Sequence, residues 1–78
     1  MSKIIGKMVD NSKVFKVDFD SDGGSAVGFQ IVVAGEKAVE PTDPTKQDKT
    51  FGGWFIGEEE YDFDDVVTEH LTLKAKWN

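Results

Sequence analysis

Phe51-Gly52-Gly53-Trp54-Phe55 and Val67-Thr68-Glu69-His70-Leu71-Thr72-Leu73-Lys74-Ala75-Lys76-Trp77 decide how this chain folds. In the second stretch, Leu71, Leu73, Ala75 and Trp77 alternate with Thr72, Lys74 and Lys76. A period of two places one set on each face of a strand, so this is a half-buried strand ending the chain on a packed aromatic. In the first stretch, two glycines sit inside an aromatic run. They permit a bend or a close backbone approach within a strand over 50–56. Trp54 and Phe55 are neighbours and point to opposite faces.

Working outward, Val14 to Asp20 alternates in the same way. Phe15, Val17 and Phe19 point one way, and Lys16, Asp18 and Asp20 the other. Asp20-Ser21-Asp22-Gly23-Gly24-Ser25 is a turn, because glycine tolerates positive φ and Asp or Ser side chains bond nearby amides. Val27 to Val33 reads as the second strand of a hairpin, with Val27, Phe29, Ile31 and Val33 on one face. Val32 breaks that pattern and suggests a bulge or burial on both faces. Lys37 to Lys49 is a crossover. Pro41 and Pro44 lack an N–H and restrict the residue before each, so one or two turns of helix or 3₁₀ helix is the most it can hold. Tyr61 and Phe63 alternate within acidic residues, and 62–66 is either a turn of helix or extended. Residues 1–13 read as an N-terminal extension. Ile4, Ile5, Met8 and Val9 are compatible with a short strand, a helical turn or a disordered lead. Residues 14–78 then form one domain.

Seventy-eight residues bound the chain to a single domain. Its stability should fall near roughly 4–12 kcal/mol. With no cysteine, neither a disulfide nor a thiolate metal site is open to it. The net charge is −6, and all nine basic residues are lysine. A phosphate backbone is repelled by such a surface, and bidentate arginine readout is missing, so nucleic acid is not an expected partner. No apolar run approaches the ~20 residues of a membrane span, and no targeting signal is read in this chain.

The candidates for chemistry are few. Asp18, Asp20 and Asp22 followed by Gly23 match the first half of a calcium loop. The twelfth position, however, is Phe29, where a bidentate glutamate is required. A hairpin turn accounts for the same residues. Glu58-Glu59-Glu60 with Asp62, Asp64 and Asp65 is the densest charge cluster and reads as a solvated loop. His70 is the only histidine and has no nucleophile motif beside it. The glycine pairs lack the helix and Lys-Ser/Thr of a phosphate loop. No catalytic, cofactor or metal residue is assigned, and no enzyme activity is expected.

Several motifs occur in a fixed order along the chain. They are Val17-Asp18-Phe19-Asp20-Ser21-Asp22-Gly23-Gly24-Ser25, Gly35-Glu36-Lys37, Pro41-Thr42-Asp43-Pro44-Thr45-Lys46, Thr50-Phe51-Gly52-Gly53-Trp54-Phe55, Tyr61-Asp62-Phe63, Val67-Thr68 and Leu71 to Trp77. In this order and spacing the chain resembles the Listeria–Bacteroides repeat, also called the internalin B-repeat, over about residues 14 to 77. The resemblance implies an α+β fold, a mostly β, ubiquitin-like β-grasp sheet with one short helical crossover. It also implies a non-catalytic spacer or protein-interaction module of a larger bacterial surface or adhesin-like protein, located extracellularly. The expected partner is a protein or a neighbouring repeat, with no direct membrane insertion, and the isolated chain is expected to be a monomer. The alternative is a free-standing small structural protein, such as one appended to a phage virion or tail. Two positions depart from the family: Ala34 stands where an aromatic is frequent, and Gln47-Asp48-Lys49 replaces a glycine–aromatic pair.

The expected core is Phe15, Val17, Phe19, Val27, Ile31, Val33, Phe51, Trp54, Phe63, Leu71, Leu73 and Trp77. Truncating either tryptophan to alanine should cost about 3–5 kcal/mol.

Overall fold

A computed structural model describes residues 13–78. The N-terminal extension therefore lies, up to residue 12, outside the described residues. Five strands form one sheet: β1 (Val14–Asp20), β2 (Gln30–Val33), β3 (Phe51–Ile56), β4 (Glu59–Glu60) and β5 (Leu71–Trp77). Their order across the sheet is β2-β1-β5-β3-β4. The first and last strands lie side by side and parallel at the centre, with Val17 opposite Leu71 and Phe19 opposite Leu73. All other pairs are antiparallel.

The expected α+β class, a β-grasp sheet with a helical crossover, is corrected here. The described residues contain no helix, and the fold is an all-β mixed sheet. The crossover between β2 and β3 is instead an extended strap. Pro41 and Pro44 remove two helix donors and push Glu40 and Asp43 toward extended backbone. The remaining polar groups find distant partners. Gln30 uses its side-chain amide as a strand would use its backbone: Nε2 donates to Val39 O at 2.6 Å, and Oε1 accepts from Val39 N at 2.9 Å. Ser25 N–H donates to Thr45 O at 2.8 Å, and Thr45 N–H donates back to Ser25 Oγ at 2.9 Å. These bonds replace the ladder a helix would have supplied.

The strap covers one face of the sheet. Val17, Phe19, Val32, Trp54, Leu73 and Ala75 point into that face and pack with Ala38 from the strap and Val67 from the β4–β5 connection. Val17 and Leu73 are fully buried, and each such side chain contributes about 1.5–3 kcal/mol relative to exposure. Phe15, Val27, Phe51, Phe63, Leu71 and Trp77 are partly buried against this cluster. The strap and the β4–β5 connection are tied to each other by an antiparallel bridge between Lys37 and Val66. A bond from Val67 N–H to Glu36 O at 2.8 Å adds to it.

Two members of the expected core are misplaced. Ile31 and Val33 are 57% and 36% exposed, whereas Val32 is 6% exposed. The register explains it. Phe15 is opposite Val32, so Val32 shares the inward face with Phe15 and Val17, and its neighbours point out. The second strand is also shorter than the expected Val27–Val33, because Val27 to Phe29 stay outside the ladder.

Two glycines carry the geometry of β3 and of the first turn. Phe51 pairs with Trp77 and Trp54 with Ala75, with a register shift between them. The extra residue puts Phe51 and Trp54 on the same face, with ring centroids 5.4 Å apart. Gly53 supplies the bulge with a φ of 119°, and a Cβ there would lie 2.8 Å from Glu60 Oε2. In the turn after β1, positive φ falls on Asp22 and Gly23. Gly24 is needed for space instead: a Cβ there would lie 2.5 Å from Trp77 Cζ2. Trp77 Nε1–H donates to Ser21 O at 2.8 Å, which locks this turn onto the last strand.

Candidate functional site

The aspartates read as a candidate calcium set do not converge. Asp18 pairs with Lys16 at 3.5 Å on the open face of β1. Asp20 Oδ1 accepts from Asp22 N–H at 2.9 Å, an aspartate capping its own turn. No group of three or more ligating side chains that could hold a metal ion occurs among the described residues. His70 sits just before β5 and acts on the sheet. Its Nδ1 accepts from Lys16 N–H at 2.9 Å, which requires the neutral imidazole, and its ring packs edge-on to Phe15 at 5.6 Å.

The acidic cluster forms one edge of the sheet. After Gly57, Glu59 and Glu60 make a two-residue ladder with Ile56 and Phe55. The chain then turns inward: Tyr61 N–H donates to Trp54 O at 2.8 Å, and Asp62 Oδ1 caps the next turn by accepting from Asp64 N–H at 2.8 Å. Beneath this edge lies a cleft of about 450 Å³ lined by Glu40, Trp54, Glu60, Tyr61, Asp62 and Phe63. Two buried polar atoms near it, Trp54 Nε1 and Tyr61 Oη, lack a hydrogen-bond partner. Burial raises the Tyr61 pKa, and the carboxylates of Asp65 and Asp62 raise it further. The phenol therefore stays protonated across the physiological range and cannot serve as a base there.

The opposite edge is β2, and it is chemically different. Gly28 to Gly35 contains no charged residue. Phe29, Ile31 and Val33 lie exposed on the face away from the strap, beside Val14. Lys16 Nζ sits 4.6 Å from the Phe29 ring centroid. Among the described residues no further strand pairs with this uncharged, apolar edge. Sequence reading had placed Ile31 and Val33 inside, so it missed this stripe. The one available signal was Val32, whose break in alternation marks a segment apolar on both faces.

The described residues form a small all-β module, a single mixed sheet with one face covered. The chain belongs to the Listeria-Bacteroides repeat domain family, which matches residues 15–76. It is similar to two proteins of Evansella cellulosilytica. One, named "Putative membrane protein", is 38% identical over 68 residues, which is 82% of this chain and 10% of that protein. The other, named "Putative Gly-rich membrane protein", is 39% identical over 67 residues, which is 81% of this chain and 8% of that protein. The chain thus spans about a tenth of the length of the curated relatives it matches.

Proposed function

We propose that this chain acts as a non-catalytic module of a larger bacterial surface protein, serving as a spacer or as a protein-interaction domain. The observation that carries the reading is the family match over residues 15–76, a repeat domain that makes up about a tenth of much longer relatives named as membrane proteins. A spacer or interaction unit of this kind is expected to fold on its own. The core supports that, since Val17, Leu73 and Val67 are buried without help from any second domain. The polar side chains are consistent with it, because the Asp20 carboxylate caps the first turn, the His70 imidazole binds β1, and Asp18 pairs with Lys16.

The test is thermal and denaturant unfolding of the isolated chain at micromolar concentration, followed by tryptophan fluorescence and far-ultraviolet circular dichroism. Coincident, cooperative transitions are expected. Non-coincident or absent transitions would overturn the self-contained module.

A further inference from the structure

The two edges of the sheet prepare it for one kind of edge-to-edge contact. The phase of the β1–β2 ladder shows which backbone groups are left over. Ala34 N–H donates to Lys13 O at 3.0 Å, while Lys16 N–H turns the other way to His70. Phe15 and Val17 therefore face β2, and in β2 the alternate residues Gln30, Val32 and Ala34 face β1. Ile31 and Val33 direct their backbone groups outward. Val33 C=O accepts from Glu36 N–H at 2.9 Å. Ile31 N–H, Ile31 C=O and Val33 N–H have no partner among the described residues.

We propose that β2 docks against β2 of a second copy of this chain, antiparallel about a two-fold axis at Ile31. This rests on the interaction-module reading above and names its partner. In this register the two Ile31 residues exchange both of their backbone bonds, and each Val33 N–H meets the other copy's Phe29 C=O. The exposed side chains match as well: Ile31 meets Ile31, and Phe29 meets Val33, so apolar surface covers apolar surface on the open face.

Charge selects the copy and the geometry. The chain carries −6 overall, so copies repel one another, but no charge lies between residues 28 and 35. The other edge offers only Glu59 and Glu60, preceded by Glu58. β4 offers only two residues of ladder and sets its carboxylates against an apolar strand, so head-to-tail growth into a filament is disfavoured. The two-fold β2–β2 pair is the closed arrangement that remains. With four-residue strands the contact falls below the ~1,200 Å² of stable interfaces. The chain is monomeric at micromolar concentration and pairs when copies are held near about 1 mM, as on a crowded surface or within one long protein.

The absence of native cysteine gives a clean test. In the proposed register the two Ile31 Cα atoms lie about 5.5 Å apart, within disulfide reach. Ile31→Cys should form an oxidised dimer at least about tenfold faster than Thr72→Cys, an exposed control on the same face of the central strand. Equal rates would overturn the proposal. On the unmodified chain, amide resonances of residues 29–34 should move between about 0.05 and 1 mM, those of 56–60 should not, and Ile31→Lys should abolish the movement. A chain whose resonances stay fixed, or move only after residues 1–12 are deleted, would also overturn it. In the second case the N-terminal segment, not a copy, is the occupant. Because Ile31 is exposed, these variants should melt like the parent. A parent chain without a cooperative melt but with intact cross-linking speaks against the module reading alone.

Discussion

On the covered face of the sheet, Val17, Leu73 and Trp54 are 0%, 0% and 2% exposed; on the opposite face, Val14, Ile31 and Phe29 are 43%, 57% and 58% exposed. Around β2 both faces carry apolar side chains. The difference lies in the strap, which crosses only one of them. Ala38 and Pro44 from the strap are buried, as is Val67 from the connection before β5. Alternation thus tells which residues share a face, and a separate covering element tells which face becomes core. An apolar residue on the uncovered face is free to serve contact rather than stability.

The sharpest way to break this comparison is one truncation on each face. Trp54→Ala removes a ring packed edge-on to Phe19 at 5.0 Å and to Phe51 at 5.4 Å. It should cost about 3–5 kcal/mol, a large part of the total stability of a chain this short. Ile31→Ala should change stability by no more than about 0.5 kcal/mol. Denaturant midpoints with equal slopes measure both. Similar losses for the two variants would mean that the open face is covered in solution.

A second test concerns how closely the covered face is packed at its end. Gly24→Ala puts a methyl group 2.5 Å from Trp77 Cζ2 and 3.0 Å from Thr45 O. One neighbour is a side chain held by a bond to Ser21 O, and the other is backbone. Neither yields easily, so the loss should be about 1–3 kcal/mol. Gly28→Ala, where a Cβ meets nothing within 4 Å, is the matching control and should be nearly neutral. A tolerated Gly24→Ala would mean that Trp77 is not seated on this turn.

Much of the covered face was legible in the sequence, and the reasons are local. In residues 15–20 and in Leu71–Trp77 the apolar residues fall on one parity only, so the strand and its inward set follow from alternation. The segment before Val33 is apolar on both parities, at Phe29, Ile31 and Val33 but also at Val32. Its facing is set by the ladder with β1, which is a long-range fact. The helix expected in the crossover failed for a similar reason. The prolines limited it correctly, but the partners that replaced it, Gln30 for Val39 and Ser25 for Thr45, lie far away in sequence. The open edge was therefore hidden, while the acidic edge was visible as a charge run and needed the fold only to show where it sits.

Tyr61 probes the boundary between the core and that acidic edge. Its pKa is raised above 10.0 by burial first, then by Asp65 and Asp62. A group that ionises less readily when folded leaves stability untouched below its unfolded pKa. Stability then falls as pH rises through the unfolded and toward the folded value. The parent chain should therefore lose stability above about pH 10, and Tyr61→Phe should make that decline shallower. At pH 7 the variant should equal or slightly exceed the parent, because the lost hydroxyl had no partner. Superimposable pH profiles would remove Tyr61 as the source.

The strap's own turn gives a two-sided test of the covering layer. Asp48 adopts a φ of 63°, in the left-handed region that glycine occupies without cost. It sits in the turn closed by Lys49 N–H donating to Lys46 O at 3.1 Å, on the exposed side of the strap. Aspartate tolerates the conformation better than most residues, and glycine adds entropy to the unfolded chain, so the two effects partly cancel. Asp48→Gly should raise stability by roughly 0.5 kcal/mol, and Asp48→Val should lower it by about 1 kcal/mol or more, since a β-branched side chain is excluded there. Thermal melts of the pair suffice. If glycine destabilises instead, the strap in solution does not turn at residue 48, and the covering layer that separates the two faces is held by its distant hydrogen bonds alone.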